Sequence, residues 1–231
     1  METFREPAGK KTVALTFDDG PNNEATADIL DILEKFGIVA SFFVIGKNVS
    51  SRTGAVVRRA DLMGCEINSH SYTHSVMPEM SAEQIKSEMD RTTEQIFKYT
   101  GKLPKFFRPP YIAVNSLMYE CIDLPFICGI GCDDWDDRVS MVRRYNFLTR
   151  EIPDNCVILL HDQQYNERTV DAVRKAVPVM LAQGTEFVTV SGLFAARGIT
   201  PRADKEVIYS FATESGYAGS NSAGGDRPTD C

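Results

Sequence analysis

Three histidines occur in the 231 residues, His70, His74 and His161, and each lies just past a strand-like run. His70 and His74 sit four apart in NSHSYTH. One helical turn after the strand would put both imidazoles on one face. Asp18 and Asp19 close the run VALTFDDG. Adjacent residues leaving a strand point in different directions, so one acid can bind a cation while the other stands off as a base. Two histidines and one carboxylate form a ligand set that leaves positions open for water and substrate. One divalent metal is therefore expected, with zinc the default and cobalt, nickel, iron or manganese compatible. His161, closing CVILLHD, has no ligand partner nearby in sequence, and its natural role beside an open metal site is general acid. Arg108, in KFFRPPY, precedes two stiffening prolines and can orient a carboxylate and keep it ionised. Trp135, the only tryptophan, lies among Asp133, Asp134, Asp136 and Asp137. It is either a stacking platform for a sugar face or a core residue.

Each residue also has a plainer reading taken singly. His70 and His74 could be a solvated pair, Asp19 a helix cap, His161 a core histidine and Arg108 a surface charge. The positions of these groups along the chain argue against that. Apolar runs at residues 12–17, 38–45, 65–68, 105–107, 126–130, 156–160 and 186–190 read as strands. Helical patterns separate them at 25–36, stopped by Gly37, and at 53–63, stopped by Gly64. A third runs from a Ser81–Gln84 capping box to about residue 99, and a fourth spans 167–182, where Pro178 should kink or shorten it. About seven strands with intervening helices imply an α/β fold with a parallel sheet or barrel in a single domain. Functional residues of such folds collect at the carboxyl ends of the strands. Asp18-Asp19, His70, Arg108, Asp133-Asp134 and His161 all occupy that position.

Composition narrows the partners. A net charge of −7 argues against nucleic acid or an anionic membrane, and a neutral polymer or small molecule fits better. No apolar run approaches the ~20 residues of a membrane span. The opening METFREPAGKK is not a signal peptide, so the chain is expected to be cytoplasmic, or secreted with its leader trimmed. The six cysteines, Cys65, Cys121, Cys128, Cys132, Cys156 and Cys231, read mostly as small buried hydrophobes. Cys128 and Cys132 alone fall short of a structural zinc site. Residues 1–215 read as the domain. Residues 216–231, small and polar, read as a flexible tail or a linker to a further module.

In order along the chain, TFDDG at 16–20, HSYTH at 70–74, RPPY at 108–111, DDW at 133–135 and ILLHD at 158–162 resemble the motifs of the polysaccharide deacetylases, the NodB-homology or family 4 carbohydrate esterases. The resemblance covers roughly residues 10–198. It implies a distorted (β/α) barrel and a metal-dependent hydrolase that removes acetyl groups from a carbohydrate. It further implies Asp18 as base, Asp19, His70 and His74 as metal ligands, and His161 as general acid. Arg108 resembles the partner of the base, and Asp134 the acid that tunes the histidine. Tyr111 resembles the residue whose backbone N–H holds the oxyanion, while Trp135 and Leu159 resemble walls of the acetyl pocket. O-acetyl esters of xylan or a related polysaccharide are the expected substrate. The alternatives are N-acetyl groups of chitooligosaccharide or peptidoglycan, or a non-catalytic carbohydrate-binding relative. The chain departs from the family pattern at Ser75, at Ile112 and at Pro153-Asp154-Asn155.

Overall fold

Successive side chains of the first strand, all buried from Val13 onward, join two different clusters and show how the molecule is layered. The computed structural model describes residues 11–203, 206–213 and 217–218. Strand β1 (Lys11–Asp18) turns Val13, Leu15 and Phe17 outward into a cluster with Ile29, Leu30 and Leu33 of α1 (Ala25–Phe36). Ala14 faces the other way, into a cluster with Phe43, Val157, Phe194 and Tyr209. Period-two alternation therefore carries Thr16 and Asp18 to the interior with Ala14. Strand β5 (Cys156–His161) pairs with β1 in parallel, matching Thr16 to Leu159 and Asp18 to His161.

Strands β2 (Ser41–Val44) and β3 (Glu66–Ser69) continue the parallel sheet in the order β3-β2-β1-β5. One edge of β1 is shared. Residues 16–18 pair with β2, and residues 11–14 pair with β6 (Thr185–Val188). The ring closes through single residues. Phe107 bridges Ser69 to Phe126 of β4 (Phe126–Ile127), and Ile130 bridges to Ile158 of β5. The result is a distorted barrel of mostly parallel strands.

Between these strands lie α2 (Gly54–Leu62), α3 (Ala82–Thr100), α4 (Ser116–Cys121), α5 (Met141–Asn146), α6 (Glu167–Ala182) and α7 (Val190–Ala196). The Ser81–Gln84 capping box opens α3, and left-handed Gly101 ends it. Helix α6 runs through Pro178 to Ala182 without a break, contrary to expectation. Pro178 is exposed, so the carbonyl four residues back, at exposed Arg174, faces water when it loses its donor.

Three expected strands are shorter than their apolar runs. Residues 105–107 pair with neighbouring strands only at Phe107, because the amides of Lys105 and Phe106 donate to the Asn68 side chain instead. Residues 126–130 break at Gly129, whose φ of 147° turns the chain from β7 toward β5. The run 38–45 is a strand only over β2. Strand β7 (Val207–Tyr209) pairs parallel with β4 and antiparallel with β8 (Tyr217–Ala218), a two-residue strand within the expected tail. The rest of 216–231 lies outside the described residues. No helix among the described residues is long and apolar enough to cross a membrane.

Candidate active site at the carboxyl end of the barrel

Asp18, the last residue of β1, is 2% exposed, and Arg108 is completely buried beside it. Arg108 Nη1 donates to Asp18 Oδ1 at 2.5 Å and to Thr16 Oγ1 at 2.9 Å. Its remaining donors reach the carbonyls of Ile127 and Cys128, and its guanidinium lies 4.0 Å from the Phe43 ring centroid. An arginine with so many partners is fixed, and it fixes the carboxylate in turn. Burial pushes the Asp18 carboxyl above its usual range, with Arg108 opposing.

Asp19 leaves the strand with φ 77°, which turns its side chain away from Asp18. A Cβ at the following Gly20 would run into the Asp162 carboxylate, so this tight turn requires glycine. Asp19 Oδ1 lies 3.5 Å from His70 Nε2 and 3.4 Å from His74 Nε2. These three groups form the one candidate cation cluster among the described residues. No helical turn joins the two histidines, contrary to expectation. A loop does so, with Ser71 and His74 both left-handed at φ 62° and 61°. Glu88 of α3 accepts from the amides of Tyr72 and Thr73, and Ser71 Oγ accepts from the His74 amide.

The donor set fits a divalent metal. Asp19 Oδ1 is buried with no hydrogen-bond partner, an orphan state that a cation would relieve. His70 Nδ1 donates to Arg108 O at 2.7 Å, leaving the Nε2 lone pair aimed at Asp19. Burial pushes the His70 pKa down to about 3, against the pull of Asp19, so the ring is neutral as a ligand must be.

His161 lies across from Asp18 in register. Its Nδ1 meets Asp134 Oδ1 at 2.8 Å, and its amide donates to Asp134 Oδ2 at 2.9 Å. Burial pushes the imidazolium pKa down, but Asp134 first, then Asp18 and Asp19, reverse this and hold it at about 9. Asp134 is 1% exposed.

Sequence reasoning missed the residues that support this pair. Thr169 Oγ1 donates to Asp134 Oδ2 at 2.8 Å, and Asn166 Nδ2 donates to His161 O at 2.9 Å. Arg144, 1% exposed, donates to both Asn166 and Thr169. Asp162 accepts from the Gly20 amide and from Thr26 Oγ1. Glu88 was also missed. Its signal was readable as a carboxylate on the apolar face of α3, among Ile85, Met89 and Ile96.

Leu159 is partly buried and sits one interior position below His161, opposite Thr16. Gly129 and Gly131 pack closely against it. Tyr111 is 66% exposed with φ 59°, and its ring meets His74 edge-on at 4.7 Å. Trp135, at 48% exposed, is not a core residue. All ten residues singled out from the sequence thus lie at the carboxyl end of the barrel or in the loops that leave it. Among the described residues, no cysteine side chain joins the candidate cation cluster. Cys65, Cys128, Cys132 and Cys156 are buried thiols, Cys121 is partly buried, and Cys231 lies outside the described residues.

The chain is similar to known proteins. A bifunctional xylanase/deacetylase of Pseudobutyrivibrio xylanivorans is 46% identical over 198 residues, covering 86% of this chain and 33% of that protein. The chain therefore spans about a third of that relative's length. The Xyl-CE4 domain of a multidomain xylanase from the hindgut metagenome of Trinervitermes trinervoides superposes with a TM-score of 0.85 at 47% identity, covering 88% of this chain and 98% of that one. A family 4 acetyl xylan esterase from Clostridium thermocellum, solved with a cobalt ion, gives 0.84 at 37% identity, covering 87% and 98%. A family model described as polysaccharide deacetylase matches residues 5–123, more than half of the chain, including Asp18, Asp19, His70, His74 and Arg108. The fold, the cluster at the strand ends and these matches agree, and the chain belongs to the polysaccharide deacetylase family.

Proposed function

We propose that this chain is a metal-dependent carbohydrate deacetylase whose substrate is O-acetylated xylan or a related neutral polysaccharide. The observation that carries the reading is the register of Asp18 against His161, a buried acid and a histidine on adjacent strand ends beside Asp19, His70 and His74. Binding a sugar requires neither a buried ion pair nor an imidazolium held by Asp134, so a purely binding role leaves these features unexplained.

Asp19, His70 and His74 would hold one divalent cation, with zinc the first candidate from two imidazoles and a carboxylate, and cobalt, nickel, manganese or iron compatible. Such an ion supplies Lewis-acid polarisation of the acetyl carbonyl and of the attacking water. The other steps belong to side chains. Asp18 Oδ2 takes the proton of the attacking water while Arg108 holds Oδ1. The Tyr111 backbone N–H is the donor assigned to the developing oxyanion. His161 carries its Nδ1 proton on Asp134 and gives the Nε2 proton to the departing sugar oxygen, releasing acetate and a free hydroxyl. Leu159 and Trp135 close the space around the acetyl methyl, where an apolar wall favours a methyl over a larger acyl group.

The xylan assignment is supported by the xylanase context of relatives at 46% and 47% identity. The test is acetate release from acetylated xylan compared with N-acetylglucosamine oligomers, with and without added metal. A higher kcat/KM on the acetylated xylan is expected. Preference for the N-acetyl oligomers would reassign the substrate to an amide, and no release from either would end the deacetylase reading.

A further inference from the structure

Of the three candidate metal ligands, Asp19 has the least direct support. The His70 ring is anchored through Nδ1 to Arg108 O, and the His74 ring meets Tyr111 edge-on. The buried Asp19 Oδ1 has no hydrogen-bond partner. Its position is therefore set by the backbone that carries it. That backbone is left-handed, at φ 77°. A non-glycine residue holds such a conformation at a cost, and it persists where the surroundings over-determine it.

Here the surroundings act from two sides. The peptide joining Asp19 to Gly20 has two polar groups, and both end on side chains from distant parts of the chain. Asn48, in the short turn Gly46–Asn48 after β2, donates from Nδ2 to Asp19 O at 2.9 Å. Asp162, just past β5, accepts from the Gly20 amide on Oδ1 at 3.0 Å. The flanking groups follow the same pattern. Asp18 O accepts from the Asp162 amide and Gly20 O from the Ile45 amide, each at 2.9 Å. Asp162 is itself buried and fixed. Its Oδ2 accepts from Thr26 Oγ1 at 2.5 Å, and Thr26 Oγ1 accepts from the Asn22 amide at 2.9 Å, which leaves the hydroxyl proton for the carboxylate. The turn after β2 also reaches the histidine loop, where the Gly46 and Lys47 amides donate to Ser71 O and Tyr72 O at 2.9 and 3.0 Å. Buried backbone groups need partners wherever they lie. Here two of the partners are side chains, so each can be removed without redirecting the chain.

We propose that Asn48 and Asp162 clamp the Asp19–Gly20 peptide from opposite ends and are the positioning residues that aim the Asp19 carboxylate at the metal. The proposal rests on the metal-dependent reading for its ligand and on these hydrogen bonds for its mechanics. Neither residue belongs to the candidate cation cluster. Groups that orient a ligand in this way carry roughly 10- to 100-fold of metal affinity.

The experiment measures zinc affinity by calorimetry on the metal-free full chain, with circular dichroism showing each variant folded. Asn48→Ala and Asp162→Ala should each weaken zinc binding about tenfold or more, and Asp162→Asn, which keeps an oxygen for the Gly20 amide, should lose less. Cobalt bound to Asn48→Ala should show an altered visible absorption spectrum, because the Asp19 carboxylate has shifted. A role in folding alone would lower the unfolding temperature and leave both affinity and spectrum as in the wild type. Affinity within about twofold of wild type in either alanine variant would overturn the clamp. If Asp162→Ala does not fold, Thr26→Val takes its place, since it keeps the side-chain shape and removes only the hydroxyl that fixes Oδ2. It should weaken zinc binding about threefold, and unchanged affinity would again overturn the proposal. Hydrogen exchange at the Gly20 amide, followed by NMR without metal, separates the clamp from the metal reading. Asn48→Ala removes no group bonded to that amide, yet it should speed its exchange about tenfold. An unchanged rate refutes the clamp. A wild type that binds no zinc would end the metal-dependent reading, and the exchange rate would still decide whether the two side chains act together on the peptide.

Discussion

Asp18 and Asn at position 18 differ by little more than the ability to take a proton, because Arg108 and Thr16 would still hold the side chain. Asp18→Asn should lower kcat by roughly 10²–10⁴-fold, the range for a lost general base. Isothermal titration should show the metal still bound; its loss would move Asp18 into the ligand set. At His161 the decisive neighbour is Asp134. Protonation of His161 favours the folded state, because its pKa there, about 9, exceeds the free value of 6.5. That contribution is complete below pH 6.5 and is lost as pH rises through about 9. Asp134→Asn leaves burial opposed only by Asp18 and Asp19. NMR titration of the metal-free variant should therefore place the His161 pKa more than about one unit lower. The alkaline limb of kcat should fall with it.

Elements act by holding loops in conformations the loops would not adopt alone. Helix α3 does this through Glu88, which gathers the amides of Tyr72 and Thr73 just before His74. Glu88→Ala leaves those amides without their acceptor and should weaken metal binding about tenfold by calorimetry, as for other groups that orient ligands. Glu88→Gln, which keeps a carbonyl oxygen, should lose less. The start of β5 shows the same logic away from the site. Asn155 takes φ 63°, accepts from Arg197 and donates to Ala212 O at 2.8 Å. Asn155→Ala should lower stability by about 2 kcal/mol in urea unfolding, from left-handed strain and the lost hydrogen bonds. Asn155→Gly, free of the strain, should lose only about half of that. Asn therefore suits this left-handed turn position, which it adopts more readily than most residues.

The strands along the chain and the gathering of the candidate residues at their ends were legible because apolar runs and their terminal acids and histidines are local signals. Asp18-Asp19, His70, Arg108 and His161 could each be placed from a few neighbouring residues. What escaped depends on distant parts of the chain. The truncation of residues 105–107 depends on Asn68, and β7 exists because β4 offers it an edge. Asn166, Thr169 and Arg144 look like ordinary polar residues until α5 and α6 pack together around Asp134. The loop joining His70 and His74 was misread as a helical turn because left-handed Ser71 has no sequence signature comparable to glycine.

At the scale of the molecule, one strand holds the design together. Strand β1 meets β2, β5 and β6 and also carries Asp18 and leads into Asp19. Thr16 Oγ1 donates to Ile158 O across 142 residues of sequence. Contacts this distant form slowly, since a long loop must close before they contribute. During synthesis, all three candidate metal ligands leave the ribosome well before β5 and β6 do. A nascent chain stopped before residue 156 would hold every one of them yet lack the strand that sets Asp18 in place. After dilution from denaturant, high-affinity metal uptake should therefore return with the same rate constant as tryptophan fluorescence from Trp135. An earlier return of metal uptake would show that the ligand cluster assembles on its own.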